Sequence, residues 1–242
     1  MHAPLFLVDA LPAEGLVRLD GPEGRHAATV RRLQVGEAVA IGDGRGSVRE
    51  GHVAEVGRDH LVARCGPVRF DPVPAVRLVV VQALAKGDRA ELAVELMTEL
   101  GVDEIVPWAA SRSIVQWRDD RGNRARERWA ATARSAAKQS RRAWVPQIAA
   151  LASTAVVAQR LPGAARAVVL HEPADLALTD VPWPDAGDVL VIVGPEGGVS
   201  GDELAAFEAS GAQPVRLAAA VLRTSTAGAA ACAALSVLLG RW

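Results

Sequence analysis

The sequence predicts two domains of different class: a small all-β domain over residues 1–72, then an α/β domain over residues 73–242 whose parallel sheet is covered by helices. Three observations carry this. Short β-branched segments separated by Gly/Asp turns fill the first third, the pattern of a small barrel or sandwich. From Val76 onward apolar runs alternate with helical segments, as in βαβ units. Between the two patterns, Asp71-Pro72-Val73-Pro74 is a stiff segment that cannot extend a sheet interior, which makes it the expected linker. Half of the 242 residues are hydrophobic, enough for packed cores and incompatible with a disordered chain.

In the first domain, strands are expected at 38–41, 51–56 and 60–64, with Gly42-Asp43-Gly44-Arg45-Gly46 as a turn. The second domain opens with Leu78–Leu84, an apolar run interrupted only by Gln82. A helix follows Gly87-Asp88, where Asp88-x-x-Glu91 has capping-box spacing, Leu92, Leu96, Met97 and Leu100 share a face, and Gly101 can terminate it. Glu104–Trp108 reads as the next strand and Asn123–Arg142 as a long basic helix in which Trp129 packs inward, with Pro146 just past its end. The alternation then repeats: strands at 167–170 and 190–193, a helix over 202–210 with the capping pair Ser200/Glu203 and the terminator Gly211, a strand at 215–217, and an Ala/Leu-rich helix over 229–239.

The 27 basic and 28 acidic residues nearly cancel, but residues 112–142 hold ten basic and three acidic side chains, and nine of the ten are Arg. Such a block fits either bidentate phosphate contacts or a solvated helix face. Cys65 and Cys232 form no CxxC pair, so neither zinc nor a disulfide framework is expected; both read as buried fillers in a reducing cytoplasm. The N-terminus MHAPLFLVDALPAEG has no basic leader and reads as mature protein. The apolar stretch 227–239 spans 13 residues, short of the roughly 20 that cross a bilayer, so no membrane partner is expected.

Two stretches carry the chemistry. Val189–Val199, VLVIVGPEGGV, is an apolar strand that stops at Gly194-Pro195-Glu196-Gly197-Gly198, where glycines let backbone approach a ligand. It matches neither GxGxxG nor a P-loop, which demotes nicotinamide cofactors and ATP, and leaves either a glycine-lined pocket for a flat heterocycle or an ordinary strand-to-helix turn. Leu222-Arg223-Thr224-Ser225-Thr226-Ala227-Gly228 places an Arg and three hydroxyls just before the last helix, where amides and hydroxyls face a polar ligand or simply cap. Arg223, between Val221-Leu222 and that helix, calls for an anionic or carbonyl partner. Glu172, after the strand ending at Leu170-His171, lines the same pocket or is a surface turn residue.

GPEGG with Ser200-x-x-Glu203, followed by LRTSTA, resembles the cofactor-binding motifs of the SPOUT methyltransferases, and within them the RsmE-type 16S rRNA (uracil-N3)-methyltransferases. The resemblance covers nearly the whole chain. His26-x-x-x-Val30-Arg31-Arg32-Leu33, Gly36 and Asp43-Gly44-Arg45-Gly46 are similar to that family's N-terminal PUA-like, RNA-binding β-barrel; Arg112-Ser113, Gln139-Ser140-Arg141-Arg142 and Val145-Pro146 are similar to its middle motifs. It implies a SPOUT α/β domain with a C-terminal trefoil knot, a homodimer formed through that knot, and transfer of a methyl group from S-adenosylmethionine to N3 of a uridine in 16S rRNA or the 30S subunit, without a metal. The implied cofactor contacts are Leu170, Gly194, Pro195, Glu196, Gly198, Leu217, Val221, Leu222, Arg223, Thr224 and Thr226. The implied RNA contacts are His26, Arg31, Arg32, Arg112 and Arg142. Arg223 is the candidate for stabilising charge on the uracil carbonyls or orienting a phosphate, with Glu196 either the reacting carboxylate or a residue that fixes its loop. Ser225 stands where many relatives have Glu, so a carboxylate role does not transfer there, and Lys138 stands where Glu often precedes the Gln-Ser pair, which leaves the local charge different. The competing readings are another SPOUT RNA methyltransferase, acting on a 2′-hydroxyl or a different base, and an RNA-binding assembly factor without catalysis.

Overall fold

The computed structural model describes residues 3–242; Met1 and His2, part of the stretch read as a mature N-terminus, lie outside them. The chain divides into two compact units, one of residues up to Val73 together with Ala137–Val145, the other of Pro74–Ala136 with Pro146–Trp242.

The first unit contains β1 (Leu5–Leu7), β2 (Leu16–Leu19), a short helix α1 (Gly21–Arg25) that widens into a π turn over His26–Val30, β3 (Ala38–Gly42), β4 (Ser47–Val56), β5 (Leu61–Cys65) and β6 (Arg69–Phe70). The strand order is β1-β3-β4-β5-β2, with β6 on β4; only β1 and β3 run parallel. A register shift between Val53 and Glu55 bends β4, and Phe6, Val17, Leu19, Val39, Ile41, Leu61 and Ala63 form the core. Arg49, 2% exposed, donates from its guanidinium to the carbonyls of Pro12, Gly15, Cys65 and Gly66 at 2.7–3.1 Å, so backbone dipoles alone satisfy a buried cation. The three expected strands are present. β1, β2 and β6 are too short to show a readable alternation, and their pairing across the sheet forms them.

The second unit runs β7 (Val76–Ala83), α2 (Arg89–Glu99), β8 (Glu104–Trp108), α3 (Asp119–Gln139), β9 (Gln147–Ile148), α4 (Thr154–Arg160), β10 (Arg166–Leu170), β11 (Gly187–Val193), α5 (Gly201–Ala209), β12 (Gln213–Val215) and α6 (Thr224–Leu238); α3 passes at Ala137 into the first unit. Six parallel strands lie in the order β12-β10-β11-β7-β8-β9. Strand alternation splits the apolar residues between two layers. Leu78, Val80, Val189 and Val191 face the layer of α2, α3 and α6, while Val79, Val81, Leu190 and Ile192 face that of α4 and α5. Among the described residues no helix is long and apolar enough to cross a membrane.

Several expectations are corrected in detail. Asp88 makes no side-chain cap, and Glu91 pairs with Arg128 at 3.3 Å instead. The buried face of α2 is Ala93, Val94, Met97 and Thr98, while Leu92 is 45% exposed. The partner side of that face is small: a Cβ on Gly228 of α6 would stand 2.7 Å from Met97 Sδ, so the glycine makes room for the methionine side chain where the two helices meet. α3 ends at Gln139 and not at Arg142, with Arg141 left-handed at φ 57°. The last strand is Gln213–Val215, two residues early. α6 begins at Thr224 rather than Ala229, taking the three hydroxyls into its first turn. Cys232 is buried as expected, but Cys65 is only half-buried.

Candidate functional site

The sheet's strands all point their carboxyl ends the same way, and in open parallel sheets ligands bind beyond those ends. β11 stops at Val193 and the chain turns through 194–198, closed by Gly198 N–H donating to Pro195 O at 2.9 Å with Gly198 at φ +74°. Ser200 then caps α5: its hydroxyl accepts from Glu203 N–H and the Glu203 carboxylate accepts from Ser200 N–H, the capping box legible in the sequence. Beside this loop lie 170–173, at the end of β10, and 217–224, between β12 and α6. The three segments enclose a cavity of about 580 Å³.

Of the residues expected to hold a cofactor, Leu170, Gly194, Pro195, Glu196, Gly198, Leu217, Val221, Leu222, Arg223 and Thr224 line this cavity. Thr226 does not. It is exposed and its N–H donates to Arg223 O at 2.8 Å, because the helix starts at Thr224 and its first turn carries position 226 away from the cavity. Thr224 ties the two walls together, its hydroxyl donating to Gly194 O at 2.9 Å. Arg223 and Glu196 are exposed on the cavity wall, and neither side chain has a hydrogen bond or ion pair among the described residues. Glu172 also lines the cavity, together with His171, which the motifs did not single out.

Arg112 stands in the same wall. It follows the end of β8, and its Nη1 donates to Gly197 O at 3.0 Å. A Cβ on Gly197 would lie 3.2 Å from Arg112 Cβ, so glycine there permits the close approach. Nothing in spacing reveals this meeting, since it requires the tertiary arrangement of the loops after β8 and β11. Glu203, read in sequence only as a cap, also accepts from Ser111 N–H at 2.7 Å and from Thr154 Oγ1 at 3.2 Å. Burial raises the Glu203 pKa, but the hydrogen bonds from Ser111 and Ser200 outweigh it and hold the carboxyl below its ordinary value. Among the described residues no His/Cys/Asp/Glu group is arranged to hold a metal.

A profile of an RNA methyltransferase domain matches residues 72–236, and one of an RNA methyltransferase PUA domain matches residues 19–64. A Mycobacterium bovis protein named ribosomal RNA small subunit methyltransferase E is 46% identical over all of this chain and 94% of its own length. This chain belongs to the ribosomal RNA small subunit methyltransferase E family. A Bacillus subtilis family member is 27% identical across 90% of the chain and 88% of its own length. Among solved structures, a Neisseria gonorrhoeae family member bound to S-adenosylmethionine aligns with TM-score 0.86, 26% identity and 98% of each chain. A Legionella pneumophila methyltransferase in complex with the same cofactor aligns with TM-score 0.87, 25% identity and 98% of each chain.

For this family member the other expected RNA contacts, His26, Arg31, Arg32 and Arg142, all belong to the first unit. His26 sits in the π turn with its ring edge-on to Phe6, 5.9 Å between centroids. Its pKa is lowered by burial, by Lys138 and by Arg31, against an opposing pull from Glu23. Lys138 is engaged with Glu23 at 2.6 Å, which gives the departing lysine a local partner. Arg31 and Arg32 are exposed, Arg32 in a left-handed conformation at φ 53°, whereas Arg142 is partly buried and engaged within the fold. Part of the arginine block serves structure. Arg126 donates to Ile148 O and Ala149 O, and Arg128 meets Glu91.

Proposed function

We infer that this protein transfers a methyl group from S-adenosylmethionine to N3 of a uridine in 16S ribosomal RNA, within the small subunit. The observation that carries the reading is the cavity at the sheet's carboxyl end, walled by the glycine loop and by Arg223-Thr224, in a chain whose fold matches a family member bound to S-adenosylmethionine. The residues fit that cofactor. A left-handed Gly198 and a Gly197 in contact with Arg112 form a backbone cradle that side chains would fill, and Leu170, Leu217 and Leu222 supply apolar walls for a heterocycle.

The cofactor supplies an electrophilic methyl carbon. The chain's part is to fix geometry and stabilise charge. Thr224 and Gly194 hold the two walls in register, and alignment of nucleophile with methyl supplies much of the rate. Uracil N3 loses its proton as it attacks. The unpartnered Glu196 is assigned to accept that proton, and Arg223 to stabilise the negative charge spreading onto the uracil carbonyls. Arg31 and Arg32 of the first unit contact RNA phosphates, joined by Arg142 and His26. The finer architecture belongs to the same reading. It comprises a PUA-like barrel over residues 1–72 and a SPOUT domain over 73–242 whose chain, after β12 at the sheet edge, threads back to seat α6 against β7 and β11 as a trefoil knot. The knotted face forms a homodimer, and the enzyme works in the cytoplasm.

Tritium transfer from labelled S-adenosylmethionine to unmodified 16S rRNA and to assembled 30S subunits, followed by nucleoside analysis, tests the reading. 3-Methyluridine is the expected product. A 2′-O-methyl nucleoside would overturn the base assignment, and cofactor binding with no incorporation would favour the assembly factor.

A further inference from the structure

A capping box asks one oxygen of its third residue, and Gln serves there as well as Glu. Glu203 does more. Its Oε2 accepts from Ser200 N–H and Ser200 Oγ, both at 3.0 Å, which completes the cap. Its Oε1 accepts from Ser111 N–H at 2.7 Å and from Thr154 Oγ1 at 3.2 Å, two groups far away in sequence. Four donors fill the acceptor sites of an ionised carboxylate, and a glutamine would turn an NH₂ group toward donors on one side or the other. Glu203 is 4% exposed, so water cannot replace a lost partner cheaply.

The Ser111 contact matters for what comes next in the chain. Ser113 N–H donates to Ala110 O at 3.0 Å, which closes a turn with Ser111 and Arg112 at its centre. Glu203 grips the first central residue, and the second, Arg112, reaches across to Gly197 O in the cavity wall. Among the described residues the Arg112 guanidinium gives one of its five donors to the chain, which leaves the others open to a ligand. We propose that Glu203 is a positioning residue for methyl transfer: through Ser111 it fixes the turn that aims Arg112 over the glycine loop at the bound substrates. This rests on the methyltransferase reading above, with Arg112 serving an anionic or carbonyl group of cofactor or RNA.

The test compares Glu203→Gln, Arg112→Ala and the double variant in the full-length protein, with two readouts. Hydrogen exchange reads the positioning without reference to activity: Glu203→Gln should deprotect the Ser111 amide by at least tenfold while amides in β7 and β11 keep their protection. Single-turnover methyl transfer reads the coupling: each single variant should lose about tenfold or more, and the double variant should be no slower than Arg112→Ala, because Glu203 acts through Arg112. Unchanged protection at Ser111, or losses that multiply in the double variant, would overturn the proposal. Should Glu203→Gln fail to fold, Thr154→Val removes one donor to Oε1 and spares the cap, and the same cycle with Arg112→Ala decides. Absence of methyl transfer in the unaltered protein would count against the methyltransferase reading alone, since the exchange readout stands apart from it.

Discussion

The two ends of the parallel sheet treat charge in opposite ways. At the amino end, Glu104 meets Arg160 through two contacts of 2.7 Å, Arg77 reaches Asp188 at 3.1 Å and Glu104 at 3.6 Å, and Arg241 beyond α6 closes on Asp103 at 2.7 Å. Hydrogen bonding to Glu104 is the main reason the Arg160 pKa is raised. At the carboxyl end, Arg223, Glu196 and Glu172 face the cavity with no such partners among the described residues. Charges that satisfy one another contribute to folding, while charges held open beside a cavity are available to a ligand. The difference assigns stability to one end and chemistry to the other, and each assignment can be broken.

The largest expected effect is on catalysis. Arg223→Ala should lower the rate of methyl transfer about 10²–10³-fold, the usual consequence of removing one group that stabilises developing charge. Thermal unfolding should hardly move, since an exposed side chain without intramolecular partners adds within about 0.5 kcal/mol to stability. A large loss of stability with intact transfer would reverse the comparison. Next in size is its mirror image: Glu104→Gln, at a position only 6% exposed, should destabilise the fold by about 2–3 kcal/mol in urea titration, the two arginines being solvated enough to soften the full cost of a broken buried pair. The same variant should bind S-adenosylmethionine normally. Thr224→Val sharpens the boundary between the two classes. It removes the 2.9 Å bond to Gly194 O, worth about 1 kcal/mol, and should weaken cofactor affinity a few-fold while costing stability by a similar amount.

How much of this was legible in the sequence depends on whether the signal was local. The capping box at Ser200/Glu203 and the terminators Gly101 and Gly211, both at φ +96°, depend on residues a few positions apart and could be read directly. The long strands β7 and β11 were visible as apolar runs. The two-residue β9 was not, because its pairing with β8 alone defines it. In the site, glycines and hydroxyls announced two walls, but the start of α6 at Thr224, which leaves Thr226 outside the cavity lining, was not readable. Arg112 carried a motif signal that implied RNA contact. Its place beside Gly197 is a product of strand order, with β8 and β11 both adjacent to β7, and no spacing encodes that.

The smallest prediction concerns acid. Glu203 is the carboxylate at the cavity end that does have partners, and they hold its folded pKa below the ordinary value of 4.5. The folded state therefore binds this proton less readily than the unfolded chain. Its stabilising contribution is complete above about pH 4.5, shrinks as pH falls through the folded pKa, and is gone below it. One group adds at most about 1.4 kcal/mol per pH unit to the slope, so the effect is best seen as a difference between proteins. Urea unfolding of the unaltered protein and of Glu203→Gln between pH 3 and 6 should give stability curves that converge on the acid side, because the variant has no proton to take up at that position. Parallel curves would mean that the carboxylate's charge does not contribute to stability. Partnership alone would then no longer identify the charges that contribute to folding.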